Sequence, residues 1–90
     1  KIINIHPSLL PKFGGKGMWG MNVHKAVIDA DEPESGATVH FVTAGIDEGE
    51  IIIQGSVPLS PNETPESLAE KIHEIEHKIF PEGIRRVLGK

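Results

Sequence analysis

The spacing of hydrophobic and polar residues along the first sixty positions predicts four secondary structure elements. An uninterrupted apolar run predicts a strand over residues 1–5. Apolar residues at i, i+3, i+4 and i+7 predict a helix over residues 22–30, with Asn22 as its N-cap. β-Branched and aromatic residues predict strands over residues 36–43 and 50–58. Because only a few residues separate these two strands, we expect them to pair antiparallel.

The last third of the chain predicts a second, longer helix. Thr64 is the expected N-cap and Pro65 the first helical residue, a position that proline favours. One apolar stripe at helical spacing follows, formed by Leu68, Ile72, Ile75 and Ile79. Pro81 is expected to kink the helix near Phe80, and Ile84, Val87 and Leu88 continue the apolar face beyond it. The element order β–α–β–β–α therefore predicts the α/β class, with too few strands for a complete doubly wound sheet.

The predicted first strand also indicates the domain organisation of the protein. A continuous apolar strand is typical of the middle of a parallel sheet, where both faces are covered. Such a strand at the first residue of a natural chain would be unusual. We therefore expect residues 1–90 to form a single partial domain, the second half of a longer protein.

Composition narrows the classes of function. The 90 residues carry 9 Lys and Arg against 13 Asp and Glu, a formal net charge of −4, and no cysteine. This excludes disulfide scaffolds and thiol nucleophiles, and it gives no electrostatic footprint for nucleic acid. No apolar run approaches the roughly 20 residues that cross a bilayer. A cytoplasmic protein without nucleic-acid or membrane partners is the expectation.

The most informative candidate site lies where the first strand ends. Asn4 and His6 are two positions apart, so both side chains project from one face of the strand, and Pro7 ends the pairing. An amide can stabilise a developing oxyanion, and an imidazole exchanges protons near neutral pH, a combination suited to chemistry at a carbonyl. A capping asparagine and a hydrogen-bonded histidine are the plain alternative.

A carboxylate could join this pair. Asp47 lies in the turn after the second strand, and parallel pairing of the first two strands would bring that turn beside His6. The carboxylate would then orient the imidazole and favour its charged form. Asp47 as an ordinary turn residue is the alternative, because Asp and Gly are common in turns.

Two other histidine patterns favour structural interpretations. His73 and His77 form an H-E-x-x-H sequence on the long helix, as in zinc proteases, but no third ligand is in evidence, so we expect a polar helix face and no metal. His40 lies among apolar residues of the second strand and is expected to be a hydrogen-bonded sheet histidine.

Four sequence features together resemble a known family. They are NIHPSLLP at 4–11, TVHFV at 38–42, D-x-G-x-I-I-x-Q at 47–54, and Glu-His at 76–77 followed by Pro81. In this order they resemble the C-terminal half of the phosphoribosylglycinamide formyltransferase family (the glycinamide ribonucleotide transformylases) over nearly the whole chain. The first feature alone is similar to all folate-dependent formyltransferases. The resemblance implies part of a Rossmann-like formyltransferase sheet.

The resemblance also implies an activity and its residues. The activity is transfer of a formyl group from 10-formyltetrahydrofolate to the amino group of glycinamide ribonucleotide in purine synthesis, without a metal. His6 would donate a proton, Asn4 would hold the formyl oxygen, and Asp47 would keep His6 protonated. Folate would contact Asn4 and the residues Thr43, Ala44, Gly45, Ile46 and Asp47. The ribonucleotide would contact His73 and Glu76.

Other functions remain open at this point. A sibling such as methionyl-tRNA formyltransferase or formyltetrahydrofolate hydrolase shares the first feature. A non-catalytic fragment that only binds its own missing N-terminal half is a further alternative. The resemblance assigns the phosphate-binding loop to that half, so the isolated chain is expected to be inactive.

Overall fold

A computed structural model of the chain describes residues 2–42 and 49–89. Its elements follow the predicted order: β1 (Ile3–His6), α1 (Met21–Asp29), β2 (Glu34–Phe41), β3 (Ile51–Pro58) and α2 (Pro65–Val87). The three strands form one sheet in the order β1-β2-β3. The predicted α/β class, with three strands and two helices, is confirmed.

Both strand pairs are antiparallel. In β2 and β3, Ala37 lies opposite Gly55, which confirms the predicted antiparallel pairing of these two strands. In β1 and β2, Ile3 lies opposite Phe41 and His6 lies opposite Thr38. The expectation of a parallel first strand is therefore wrong. A long connection with one helix can bring the chain back in either direction, and the apolar run of β1 does not encode which.

The two faces of the sheet differ in character. Ile5 and Val39 are direct partners and pack with Ala37 and Ile53 into the hydrophobic core, where both helices lie. The core centre is formed by buried residues of β2 and the helices: Val27, Ala37, Val39, Leu68, Ile72 and Ile79. Residues at the alternate strand positions project to the opposite face. That face carries the candidate site.

Two glycines allow α2 to approach the sheet closely. A Cβ on Gly83 would lie 2.9 Å from Cγ1 of Val39, and a Cβ on Gly55 would lie 2.8 Å from Cγ2 of Ile75. Side chains at either position would push the helix away from β2 and β3. The close packing of α2 on the apolar face therefore depends on glycine at both places.

The start of α2 agrees with the predicted cap. The Thr64 hydroxyl accepts from the Ser67 amide, the Ser67 hydroxyl accepts from the Thr64 amide, and Pro65 is the first helical residue. Just before the cap, a hydrogen bond from Lys71, with further bonds from the Ser60 amide and the Ser67 hydroxyl, lowers the pKa of Glu63 to about 2. The helix then runs through Pro81 to Val87.

The start of α1 differs from the prediction. Gly20 is the N-cap, with φ of 60°, and Asn22 lies inside the first turn. The Asn22 side chain donates to the carbonyl of Gly17 at 3.1 Å and so ties the glycine-rich loop to the helix. The prediction of Asn22 as the cap is wrong. The chain enters the helix with a positive φ at position 20, which glycine adopts readily, so the helix begins before Asn22.

Candidate active site on the polar face of the sheet

Four polar residues form a block on the sheet face opposite the helices. Asn4 lies directly opposite His40, and His6 directly opposite Thr38, so all four side chains project from the same face. Gln54 of β3 lies opposite Thr38 and extends the row. We call these five residues the polar face. The predicted pairing of Asn4 and His6 on one face is confirmed by this register.

His6 is buried and its ring is fixed by the backbone. Its side chain is 4% exposed, and its Nε2 lies 2.8 Å from the carbonyl oxygen of Phe13. A carbonyl oxygen only accepts hydrogen bonds, so Nε2 carries a proton in this arrangement. In the neutral ring, the other nitrogen, Nδ1, then bears the lone pair. His6 can donate a proton from Nδ1 only as the imidazolium.

Asn4 is exposed beside a buried histidine. His40, its direct partner across β1 and β2, is 2% exposed, and its Nδ1 donates to the carbonyl of Phe41 at 3.0 Å. This confirms the prediction that His40 is a hydrogen-bonded histidine within the strand. The Asn4 side chain, by contrast, is accessible to a ligand approaching the polar face.

Thr38 and Gln54 attach the segment after His6 to the polar face. The Thr38 hydroxyl donates to the Ser8 carbonyl at 2.7 Å and accepts from the Leu10 amide at 3.0 Å. The Gln54 amide donates to the Leu10 carbonyl and to the Thr38 hydroxyl, both at 2.9 Å. Sequence reasoning noted both residues only as shared family features and gave them no role. A threonine among the apolar residues of a predicted strand was the available signal.

Apart from Asn4, the residues expected to contact folate lie outside the described part of the chain, in segment 43–48: Thr43, Ala44, Gly45, Ile46 and Asp47. The attachment of that segment is described. The Val42 amide donates to the Ile2 carbonyl at 2.8 Å, and the Phe41 amide donates to the Glu50 carbonyl at 3.0 Å. The residues on either side of segment 43–48 are therefore attached to the sheet near the start of β1. His6, by contrast, is the last residue of β1. The parallel pairing that was to bring Asp47 to the rim beside His6 is wrong.

His73 and Glu76 lie on α2. The His73 Nδ1 is 3.5 Å from a Glu76 carboxylate oxygen, and the ring of His77 lies 4.3 Å from that of His73, edge to face. Since α2 packs on the apolar face, the structure does not bring this pair together with Asn4 and His6. Within residues 2–42 and 49–89, no group of three or more His, Asp or Glu side chains is arranged to hold a metal ion.

His24 is a buried histidine on α1 that the sequence analysis did not single out. It is 5% exposed on α1, and burial lowers its pKa. None of the described residues forms a hydrogen bond with its Nδ1. Its burial and the packing of α1 against α2 support packing as its role.

The comparisons with known proteins identify the family. The formyl transferase family matches residues 1–84, and the chain belongs to this family. Within it, the chain is 49% identical over 84 residues to the chloroplastic phosphoribosylglycinamide formyltransferase of Arabidopsis thaliana, covering 93% of this chain and 29% of that protein. It is 46% identical over 89 residues to the trifunctional purine biosynthetic protein adenosine-3 of Drosophila melanogaster, covering 99% of this chain and 6% of that one.

Solved structures agree in fold. Phosphoribosylglycinamide formyltransferase from Bacillus halodurans superposes with a TM-score of 0.85 at 38% identity, over 99% of this chain and 43% of that one. Glycinamide ribonucleotide transformylase 1 from Symbiobacterium toebii gives 0.84 at 46% identity, over 93% and 37%. The chain thus spans less than half the length of these relatives. No described helix is long and apolar enough to cross a membrane.

Proposed function

We propose that the chain is the catalytic part of an enzyme that transfers a formyl group from 10-formyltetrahydrofolate to the amino group of glycinamide ribonucleotide. Membership of the formyl transferase family and relatives named for this reaction support the proposal. The observation that carries it is the placement of an accessible Asn4 and a buried, backbone-fixed His6 on one sheet face. We place the reaction in the cytoplasm, as the sequence predicts.

The polar face suits the chemistry of formyl transfer. The acceptor amine forms a bond to the formyl carbon, and the formyl oxygen gains negative charge, which the Asn4 amide stabilises by hydrogen bonding. The bond between the formyl carbon and the donor nitrogen then breaks. That nitrogen takes a proton from the His6 imidazolium, and the acceptor amine gives up one proton, which returns to the imidazole through water and the Asp47 carboxylate.

In this proposal, the chain around Asp47 is long enough for its carboxylate to reach His6, although β1 and β2 pair antiparallel. Asp47 is five positions along the chain from Val42, whose amide donates to the Ile2 carbonyl beside β1. An extended stretch of five residues reaches about 17 Å. The distance from Ile2 along β1 to His6 is about 13 Å. A carboxylate at that place favours the imidazolium that the proton transfer requires.

Substrate contacts complete the proposal. Folate binding is assigned to Asn4 and segment 43–47, and ribonucleotide binding to His73 and Glu76, both on the strength of the family resemblance. The α2 pair lies across the sheet from His6, so its role rests on that resemblance alone. The remaining contacts, including those to the substrate phosphate, are assigned to the enzyme's own N-terminal half.

Assays on the full-length protein test the proposal. With 10-formyltetrahydrofolate as donor, we expect formyl transfer to glycinamide ribonucleotide and none to initiator tRNA or to water. Transfer to tRNA would indicate the methionyl-tRNA enzyme, release of formate would indicate the hydrolase, and no transfer at all would leave a non-catalytic binding protein.

Two matched pairs of variants test the residues. Asn4→Ala and Asp47→Asn should each lower the rate of transfer, whereas Asn62→Ala and Asp29→Asn, which change an amide and a carboxylate at exposed positions, should not. Equal rates for Asn4→Ala and Asn62→Ala would remove Asn4 from the mechanism, and equal rates for the two aspartate variants would remove Asp47.

A further inference from the structure

The turn that follows His6 is closed by a buried hydroxyl. Ser8 is fully buried, and its Oγ donates to the carbonyl of Lys12 at 2.7 Å, with the carbonyl of Phe13 at 3.4 Å. The Lys12 amide donates to the Leu9 carbonyl at 3.1 Å. Phe13, at the end of this turn, has φ of 56°, in the left-handed region. We call residues 8–13 the Ser8 turn.

The Ser8 turn determines where the Phe13 carbonyl points. A non-glycine residue in the left-handed region is unfavourable and persists only where surrounding contacts hold it. Here those contacts include the Ser8 hydroxyl, whose single proton goes mainly to the Lys12 carbonyl at 2.7 Å, with the Phe13 carbonyl at 3.4 Å. The same Phe13 carbonyl accepts from Nε2 of His6 at 2.8 Å. The Ser8 hydroxyl therefore holds the peptide unit directly before Phe13, and the carbonyl of Phe13 binds the imidazole.

We propose that Ser8 is a positioning residue for His6: by fixing the turn that presents the Phe13 carbonyl to Nε2, it sets the orientation and the tautomer of the ring. A hydrogen-bond acceptor at Nε2 favours the neutral tautomer that carries its proton on Nε2. The group that orients a catalytic histidine determines its tautomer in this way. The role of His6 in the reaction rests on the proposed function, whereas the tautomer does not.

The side-chain nitrogen NMR signals of His6 in the full-length protein test the tautomer directly. In the wild type at high pH, we expect the neutral ring to carry its proton on Nε2. A neutral wild-type ring protonated on Nδ1 would overturn the proposal without any variant. Because no turnover is involved, this result stands whether or not the enzyme transfers formyl groups to glycinamide ribonucleotide.

Ser8→Ala tests the role of the hydroxyl, with Ser56→Ala, at an exposed position of β3, as the matched control. Ser8→Ala should mix the two neutral tautomers of His6 and lower kcat by about ten- to a hundredfold, the usual range for loss of an outer positioning group. KM should change little, and Ser56→Ala should behave as the wild type. Retention of the Nε2 tautomer in a folded Ser8→Ala variant would overturn the proposal. If the Ser8→Ala variant does not fold, the tautomer of His6 in the wild-type protein tests the proposal instead.

Discussion

Replacing Thr38 by valine should destabilise the protein although the two side chains have nearly the same shape. Thr38 is fully buried, and its hydroxyl forms three hydrogen bonds, to the Ser8 carbonyl, the Leu10 amide and the Gln54 side chain. Valine leaves the first two groups buried without this partner, at about 1–3 kcal/mol each. The added methyl group recovers about 1 kcal/mol. We expect a net loss of about 3 kcal/mol in the free energy of unfolding.

Urea unfolding at neutral pH measures this loss, and Thr38→Ser separates the hydroxyl from the methyl group. The serine variant keeps the hydrogen bonds and loses one buried methyl, worth about 1 kcal/mol. The expected order of stability is therefore Thr, then Ser, then Val. A valine variant as stable as the wild type, or more stable than the serine variant, would refute the role of this hydroxyl in attaching the segment after His6.

Two further predictions concern other parts of the fold. Gly36→Ala should destabilise the protein by about 3 kcal/mol or more, because its Cβ would lie 2.0 Å from the Gly55 carbonyl oxygen, and thermal unfolding of the variant checks this. Glu63→Gln should cost about 2 kcal/mol at pH 7, because the carboxylate accepts a charged hydrogen bond from Lys71. Since folding lowers the Glu63 pKa from 4.5 to about 2, that stabilisation is complete above pH 4.5 and disappears as the pH falls towards 2. Unfolding curves across this range should therefore converge for wild type and variant, and a constant difference would contradict the assignment.

The elements that the sequence predicts well depend on local signals. The cap of α2 is encoded within four residues by Thr64, Pro65 and Ser67, and the stripe from Leu68 to Ile79 encodes its buried side. The antiparallel pairing of β2 and β3 follows from the short connection between them. Local sequence is sufficient in these cases because the interacting groups are neighbours along the chain.

The features that the sequence does not predict depend on distant partners. The direction of β1 relative to β2 is decided by how a long connection returns to the sheet. The hydrogen bond from Thr38 to Ser8 joins residues 30 positions apart, and that from Gln54 to Leu10 joins residues 44 apart. Likewise, no local pattern indicates that Phe13 would supply the acceptor for His6. For these reasons, the sequence could predict that Asn4 and His6 form a pair. It could not predict the hydrogen bonds that position the His6 ring.

The most direct test of the account is the rate of formyl transfer by a His6→Ala variant of the full-length protein, measured at saturating 10-formyltetrahydrofolate and glycinamide ribonucleotide. Loss of a positioned proton donor should lower kcat by about 10²- to 10⁴-fold. Circular dichroism should show that the variant remains folded. An unchanged kcat would contradict the proposal that the imidazole on the polar face supplies the proton for transfer.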